Sequence, residues 1–246
     1  MSGDFVRKQE RYWRGADAVR FDWQTRNPVL ARREAALAQR VLAQAGERLL
    51  EIGCGEGANL HHLRADGARR FGVDFSGEKT SFARNATGAD TVTADGARLP
   101  FADASFHAVL IRDVLHHVPK PEAVLAEARR VLRPGGRLLL VEPNRNSPLI
   151  WAQAALIPAE RAVMRSTAAR LGRQLAAAGF VVTRHSYEQP FPIERILLHP
   201  TMGLPKLASL PLVEPALTAL DALVRRVLPK RAWMYLVFEA VRPELA

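Results

Sequence analysis

Three glycines alternate at Gly53, Gly55 and Gly57, directly after the apolar run Leu49-Leu50-Glu51-Ile52. Cys54 and Glu56 fill the spaces between them. Glycine carries no Cβ and tolerates positive φ, so such a turn lets backbone approach a nucleotide-like ligand closely. Two carboxylates follow, Asp74 in Phe71-Gly72-Val73-Asp74-Phe75-Ser76 and Asp95 in Thr93-Ala94-Asp95-Gly96. The first can accept hydrogen bonds from both hydroxyls of a ribose. The second can accept one from an exocyclic amine such as that of adenine. Further on stand His116 and His117, either of which can exchange a proton near neutral pH or serve as a packing residue. No His, Cys, Asp or Glu grouping has metal-ligand spacing, so no metal is expected.

These residues leave NAD, FAD and S-adenosylmethionine open, and two observations separate them. The pattern is G-x-G-x-G, with Ala58 and Asn59 after the third glycine, whereas the dinucleotide fingerprint needs that glycine one position later. The turn is also acidic, with Glu51 before it and Glu56 inside it. Negative charge beside a pyrophosphate is costly, whereas a sulfonium and an ammonium favour it.

The elements that must position these groups are legible as alternating patterns. Apolar runs at 48–52, 70–74, 91–94, 107–111 and 137–142 read as strands, and 57–65, 77–86 and 121–132 read as helices between them. That alternation predicts βαβ units and a doubly wound parallel sheet, with ligands at the edge formed by the strand C-termini. After Pro143 the alternation stops. A helix over 166–178 ending at Gly179 and strands over 180–187 and 233–241 are expected. The stretch between those strands holds seven prolines, which exclude a long helix across 190–215. Ile196, Leu197, Leu198, Leu204, Leu207, Leu210 and Leu212 are expected to be buried there, and Pro215 to Leu228 follows helical spacing. Residues 1–46 read as an N-terminal helical cap, and 47–246 as one domain with a helical lid or insert over 189–231.

With 246 residues and 48% hydrophobic content, the chain can bury one full α/β core. Its formal charge of +10 could attract nucleic acid, anionic lipid or an acidic substrate, or reflect only a solvated arginine-rich surface. The single cysteine, Cys54, excludes an intramolecular disulfide and reads as a small residue chosen for fit. The first residues lack the apolar core of a signal peptide, and no apolar run is long enough to span a membrane. A cytoplasmic protein, soluble or peripherally membrane-bound, is expected.

The motifs E-I-G-C-G-E-G, G-V-D-F-S, A-D-G-A-R-L-P-F, F-H-A-V-L-I-R-D-V-L-H-H-V and V-L-R-P-G-G-R-L-L-L-V-E-P-N are collinear from Arg48 to Asn144. Together they resemble the class I S-adenosylmethionine-dependent methyltransferases, in the small-molecule branch with the ubiquinone and menaquinone enzymes. The resemblance implies a seven-stranded Rossmann-like sheet of order 3-2-1-4-5-7-6, with strand 7 antiparallel. It implies that Gly53, Gly55 and Gly57, with Cys54 between them, wrap the methionine part of the cofactor, and that Glu51 lies near its ammonium. Asp74 would hold the ribose, Phe75 would pack on the adenine, and Asp95 and Gly96 would meet its amine. Arg112 would contribute backbone near the methionine. S-adenosylhomocysteine would be the product, and His116 and His117 would lie near the transferable methyl.

The acceptor is less legible. The Asn/Asp-Pro-Pro-Tyr signature of many base-amine methyltransferases is absent, and Arg112-Asp113-Val114-Leu115 stands in its place, which argues against nucleic acid. Tyr12 and Trp13 resemble a capping helix over the cofactor. Trp151 and the 189–231 insert are expected to form an apolar lid, pointing to a small hydrophobic acceptor methylated on O, C or N. A membrane face and a homodimer interface are the other roles open to the insert. A catalytically silent binding protein is the alternative function.

Overall fold

Strands buried on both faces need no polar alternation, and the runs at Leu49–Ile52 and Phe106–Arg112 are buried almost throughout. The computed structural model describes residues 14–42, 46–64, 68–200 and 203–244. Its strands are β1 (Arg48–Ile52), β2 (Arg69–Asp74), β3 (Asp90–Thr93), β4 (Phe106–Arg112), β5 (Leu132–Pro143), β6 (Val181–Glu188) and β7 (Tyr235–Val241). They form one sheet of order β3-β2-β1-β4-β5-β7-β6, as the resemblance implies. β1 pairs in parallel with β2 and β4, β2 with β3, and β4 with β5. β7 runs antiparallel to both β5 and β6.

The helices are α1 (Ala18–Arg26), α2 (Pro28–Leu42), α3 (Ala58–His62), α4 (Gly77–Thr87), α5 (Pro121–Val131), α6 (Pro148–Leu156), α7 (Ala168–Ala177), α8 (Glu194–Leu197) and α9 (Val213–Val227). Alternate strand residues feed two cores on opposite faces of the sheet. Leu50, Ile52, Val109, Ile111 and Leu138 pack with Leu125 of α5 and Leu171 of α7. Leu49, Leu110, Leu139 and Val141 pack with Ala38 of α2 and Ile150 of α6. Helix ends follow local chemistry. The Ser76 side chain accepts from the Lys79 backbone N–H to start α4. Gly179, at φ +79°, closes α7, with Phe180 N–H donating to the Leu175 carbonyl at 3.0 Å.

Two expectations are corrected. The fifth strand, expected over 137–142, begins at Leu132 and takes in Arg133-Pro134-Gly135-Gly136. Its backbone pairs with Arg242, through Gly135 N to Arg242 O and Arg242 N to Gly136 O, both at 2.9 Å. In the segment between β6 and β7, Leu198 is buried, but Ile196, Leu204, Leu210 and Leu212 are exposed. The segment is made of short elements laid over α2, where Leu198 and Leu217 meet Val29. Such a thin layer offers few inward positions. Ion pairs Arg32–Glu214, Arg33–Glu194 (3.0 Å) and Arg33–Asp221 (3.6 Å) clamp it to α2. Among the described residues, no helix is long and apolar enough to cross a membrane.

Candidate functional site

The glycine turn follows β1 at the C-terminal edge of the sheet. Gly53 and Cys54 donate their N–H groups to the Val73 carbonyl at 2.7 and 3.0 Å. Gly53 has φ +76°, and a Cβ there would overlap Val114. Gly55, at φ +52°, has open space where its Cβ would be. Its N–H donates to Asp74 Oδ2 at 3.0 Å, while Asp74 Oδ1 accepts from Ser76 N–H at 3.0 Å. Asp74 therefore braces the turn, a role its position in the sequence did not show. Burial raises its pKa, against the lowering effect of these hydrogen bonds and of Lys79. Burial, then Glu51 and Asp74, push the Cys54 thiol up, so it stays neutral.

Gly57 sits at a helix–helix contact. It does not line the cavity; at φ +85°, its missing Cβ would lie 2.9 Å from Ala83 Cβ and 3.1 Å from Thr87 Cγ2. Its smallness lets α3 pack on α4.

Beyond the turn lies a cavity of about 650 Å³. Gly53, Cys54, Gly55, Asp74, Phe75, Asp95 and Gly96 line one part, and Arg112, Asp113, His116, His117, Glu160, Arg195 and Tyr235 line another. Arg20 and Gln24 of α1 also face it. Tyr12 and Trp13 lie outside the described residues. Trp151 is exposed on α6 and does not line the cavity. Glu51 lies buried behind Asn59, its Oε1 accepting from Asn59 Nδ2 at 2.6 Å and its Oε2 buried without a hydrogen-bond partner. Burial raises its pKa to about 8. Glu56 lies 3.5 Å from Lys79 Nζ. The acidity read from the sequence is thus partly discharged before any ligand binds.

At the far wall, Arg112 reaches across to the Glu34 carboxylate of α2, whose other oxygen takes Arg195 Nη2 at 2.5 Å. Arg112 also donates to Asn59 Oδ1 at 3.0 Å, and its guanidinium and that of Arg195 lie 5.5 and 5.6 Å from the Tyr235 ring centre. The resemblance assigns Arg112 a backbone part, yet its side chain is the more consequential group here. Burial favours protonation of Glu34, but Arg112 and Arg195 outweigh it and lower the pKa to about 2.

His116 is buried with Nδ1 2.7 Å from Glu142 Oε2 and Nε2 3.7 Å from Glu160 Oε2. Glu142 Oε1 also accepts the backbone N–H groups of Val114 and Leu115, at 2.9 and 2.8 Å. Burial opposes charge on His116, but Glu142 and then Glu160 prevail and raise its pKa to about 10. His117, with its ring centre 3.8 Å from that of His116, is pushed the other way, by burial and then by the charge on His116. His116, His117 and Glu160 bring potential ligand atoms within 4.8 Å of one another. Sequence spacing did not show this grouping, because Glu160 arrives from the 3₁₀ turn at Pro158–Arg165.

Comparison with known proteins agrees with this geometry. Residues 50–140 match the family described as a methyltransferase domain. A demethylmenaquinone methyltransferase of Clavibacter sepedonicus is 39% identical over 111 residues, 44% of this chain and 45% of that protein. A fatty-acid O-methyltransferase of Mycolicibacterium smegmatis is 38% identical over 106 residues, 39% of this chain and 37% of that protein. The matched region spans less than half the length of either relative. In fold, the chain is similar to geranyl diphosphate C-methyltransferase of Streptomyces coelicolor, with TM-score 0.68, 18% identity, and 98% and 99% of the two chains covered. Residues 50–140 thus match a methyltransferase domain, set in the sheet order that the resemblance to class I S-adenosylmethionine-dependent methyltransferases implies.

The Glu34 network makes stability acid-sensitive. Its folded pKa of about 2 lies below the ordinary 4.5, so its contribution is present above that value and is lost as pH falls from there toward 2. The amount at stake is about 3 kcal/mol. Denaturant unfolding of wild type and Glu34→Gln at several pH values checks this. The wild type should lose stability steeply across that window and the variant less; equal slopes would exclude the assignment.

Proposed function

We propose that this protein transfers a methyl group from S-adenosylmethionine to a small acceptor held at the Arg112–Arg195–Tyr235 wall of the cavity. The observation that carries this reading is one continuous cavity joining the glycine turn to that polar wall. The residues fit the cofactor. Gly55 leaves open space toward which ligand backbone atoms can approach, and Glu51 keeps a buried oxygen without a partner. In this reading Gly53 and Gly55 wrap the methionine part, Asp74 accepts from the ribose hydroxyls, and Phe75, Asp95 and Gly96 surround the adenine.

The cofactor supplies an electrophilic methyl on a sulfonium. The protein's task is to align the acceptor with it in line and to exclude water. The relatives act on different molecules, as their names state, so the acceptor's class is inferred from the wall itself. The segment expected to form an apolar lid instead places Arg195 in the cavity. The acceptor therefore carries a polar group toward Arg195 and Tyr235, whatever its remaining body. His117 is the group suited to remove an acceptor proton, because burial and the neighbouring imidazolium hold it neutral. His116, fixed by Glu142, keeps that neighbouring charge in place.

Calorimetric titration with S-adenosylmethionine tests the first half of the reading. Binding should be measurable, and Asp74→Ala should weaken it by about 1–3 kcal/mol through loss of charge-assisted hydrogen bonds. No binding of the cofactor or of S-adenosylhomocysteine would defeat the reading. Glu51 gives a second signature. Its raised pKa leaves it mostly protonated at pH 7, and a nearby ammonium favours the carboxylate, so binding should release protons. Titrations in buffers of different ionisation enthalpy should show this for wild type and not for Glu51→Gln. For catalysis, His117→Ala should lower kcat by about 10²–10⁴-fold while cofactor affinity stays unchanged. An unchanged rate would leave alignment alone as the catalytic device.

A further inference from the structure

α9 buries only one flank. Leu217 packs inward against Val29 and Leu198, and Arg33 and Arg225 hold Asp221. A second flank carries Leu212, Ala216, Leu220, Leu223 and Val227, at i, i+4, i+8, i+11 and i+15, which is one continuous helical stripe. Leu212 is 80% exposed, Leu223 56% and Val227 71%. Leu204 and Leu210, in the turns leading into the helix, are exposed as well.

The charge around this stripe has one sign. Arg226, three residues from Leu223 and next to Val227, lies at its edge, and Lys206, Lys230 and Arg231 are exposed nearby in the chain. None of these four has an ion-pair partner among the described residues. The acids of the same segment are spent, Glu214 on Arg32 and Asp221 on Arg33 and Arg225. A basic edge beside a leucine stripe matches a surface that offers an apolar layer and a sheet of phosphates in one plane. A second copy fits less well, because it would bring two identical basic edges together along the seam.

We propose that α9 and its flanking turns lie on an anionic bilayer surface, with Leu212, Leu220, Leu223 and Val227 at the headgroup–acyl boundary. Arg226, Lys206, Lys230 and Arg231 then face lipid phosphates. The same segment between β6 and β7 delivers Arg195 to the cavity, from the helix before α9. The inference does not depend on methyl transfer, and lipid binding is read without any cofactor.

Sedimentation of the full chain with vesicles tests it, comparing an equal mixture of phosphatidylglycerol and phosphatidylcholine with phosphatidylcholine alone. Wild type should bind the anionic vesicles preferentially and be released by about 0.5 M salt, where screening is nearly complete. Leu223→Asp with Val227→Asp should reduce binding at least about ten-fold. Arg226→Gln and Lys230→Gln should each reduce it roughly five-fold. Both sites are exposed, so thermal melts should match wild type and separate lost docking from lost folding; Leu212→Gln serves if the double variant melts early. Equal partitioning of wild type and variants, or binding to neither vesicle, overturns the proposal. So does a wild-type dimer in light scattering that Leu223→Asp converts to monomer, since the stripe would then belong to a second copy.

Discussion

The buried carboxylate of Glu34, shared between Arg112 and Arg195, holds the functional half of the molecule together. Its three members come from α2, the end of β4 and the segment between β6 and β7. Two guanidinium groups withdrawn from water need a close counter-charge, and removing one partner of such a group leaves an uncompensated buried charge. Arg112 extends the link to Asn59, and Asn59 to Glu51 beneath the glycine turn. One chain of hydrogen bonds therefore joins the N-terminal helices, the sheet edge, the helix after the turn and the insert around one cavity. Its energetic value is context-dependent, but its geometric consequence is direct: these four pieces are fixed relative to one another.

The cavity divides into two electrostatic parts. Toward the glycine turn, charge is held down, with Glu51 protonated near neutral pH, Cys54 neutral and Glu56 beside Lys79. Toward the far wall, charge is kept in fixed pairs, Arg112 and Arg195 on Glu34, and His116 between Glu142 and Glu160. A cation in the first part would favour the ionised form of Glu51, whose proton would leave to solvent. In the second part the guanidinium groups are already oriented, so a polar group bound there would cost little reorganisation.

Packing sets the limits of this arrangement. Gly57 serves a helix contact, because Ala83 and Thr87 leave no room for a Cβ. The layer over α2 is thin, so leucines that a thicker lid would cover stand exposed on α9 and the turns before it.

The sequence by itself determined whatever depends on neighbours along the chain. Strand and helix periods, the glycine turn after β1, Asp74 and Asp95 at strand ends, and Gly179 closing α7 are all local patterns, and local backbone preferences decide them. The sheet order followed from motifs set at family spacing. Only the tertiary structure decided the charged wall of the cavity. Glu34 meets Arg112 across 78 residues and Arg195 across 161. Glu160 meets His116 from a separate 3₁₀ turn, and Trp151, promising as an aromatic near the insert, is exposed and does not line the cavity. Such partnerships leave no periodicity or spacing in the sequence. They depend on which distant charges the fold desolvates together, and that is settled only when the layers pack.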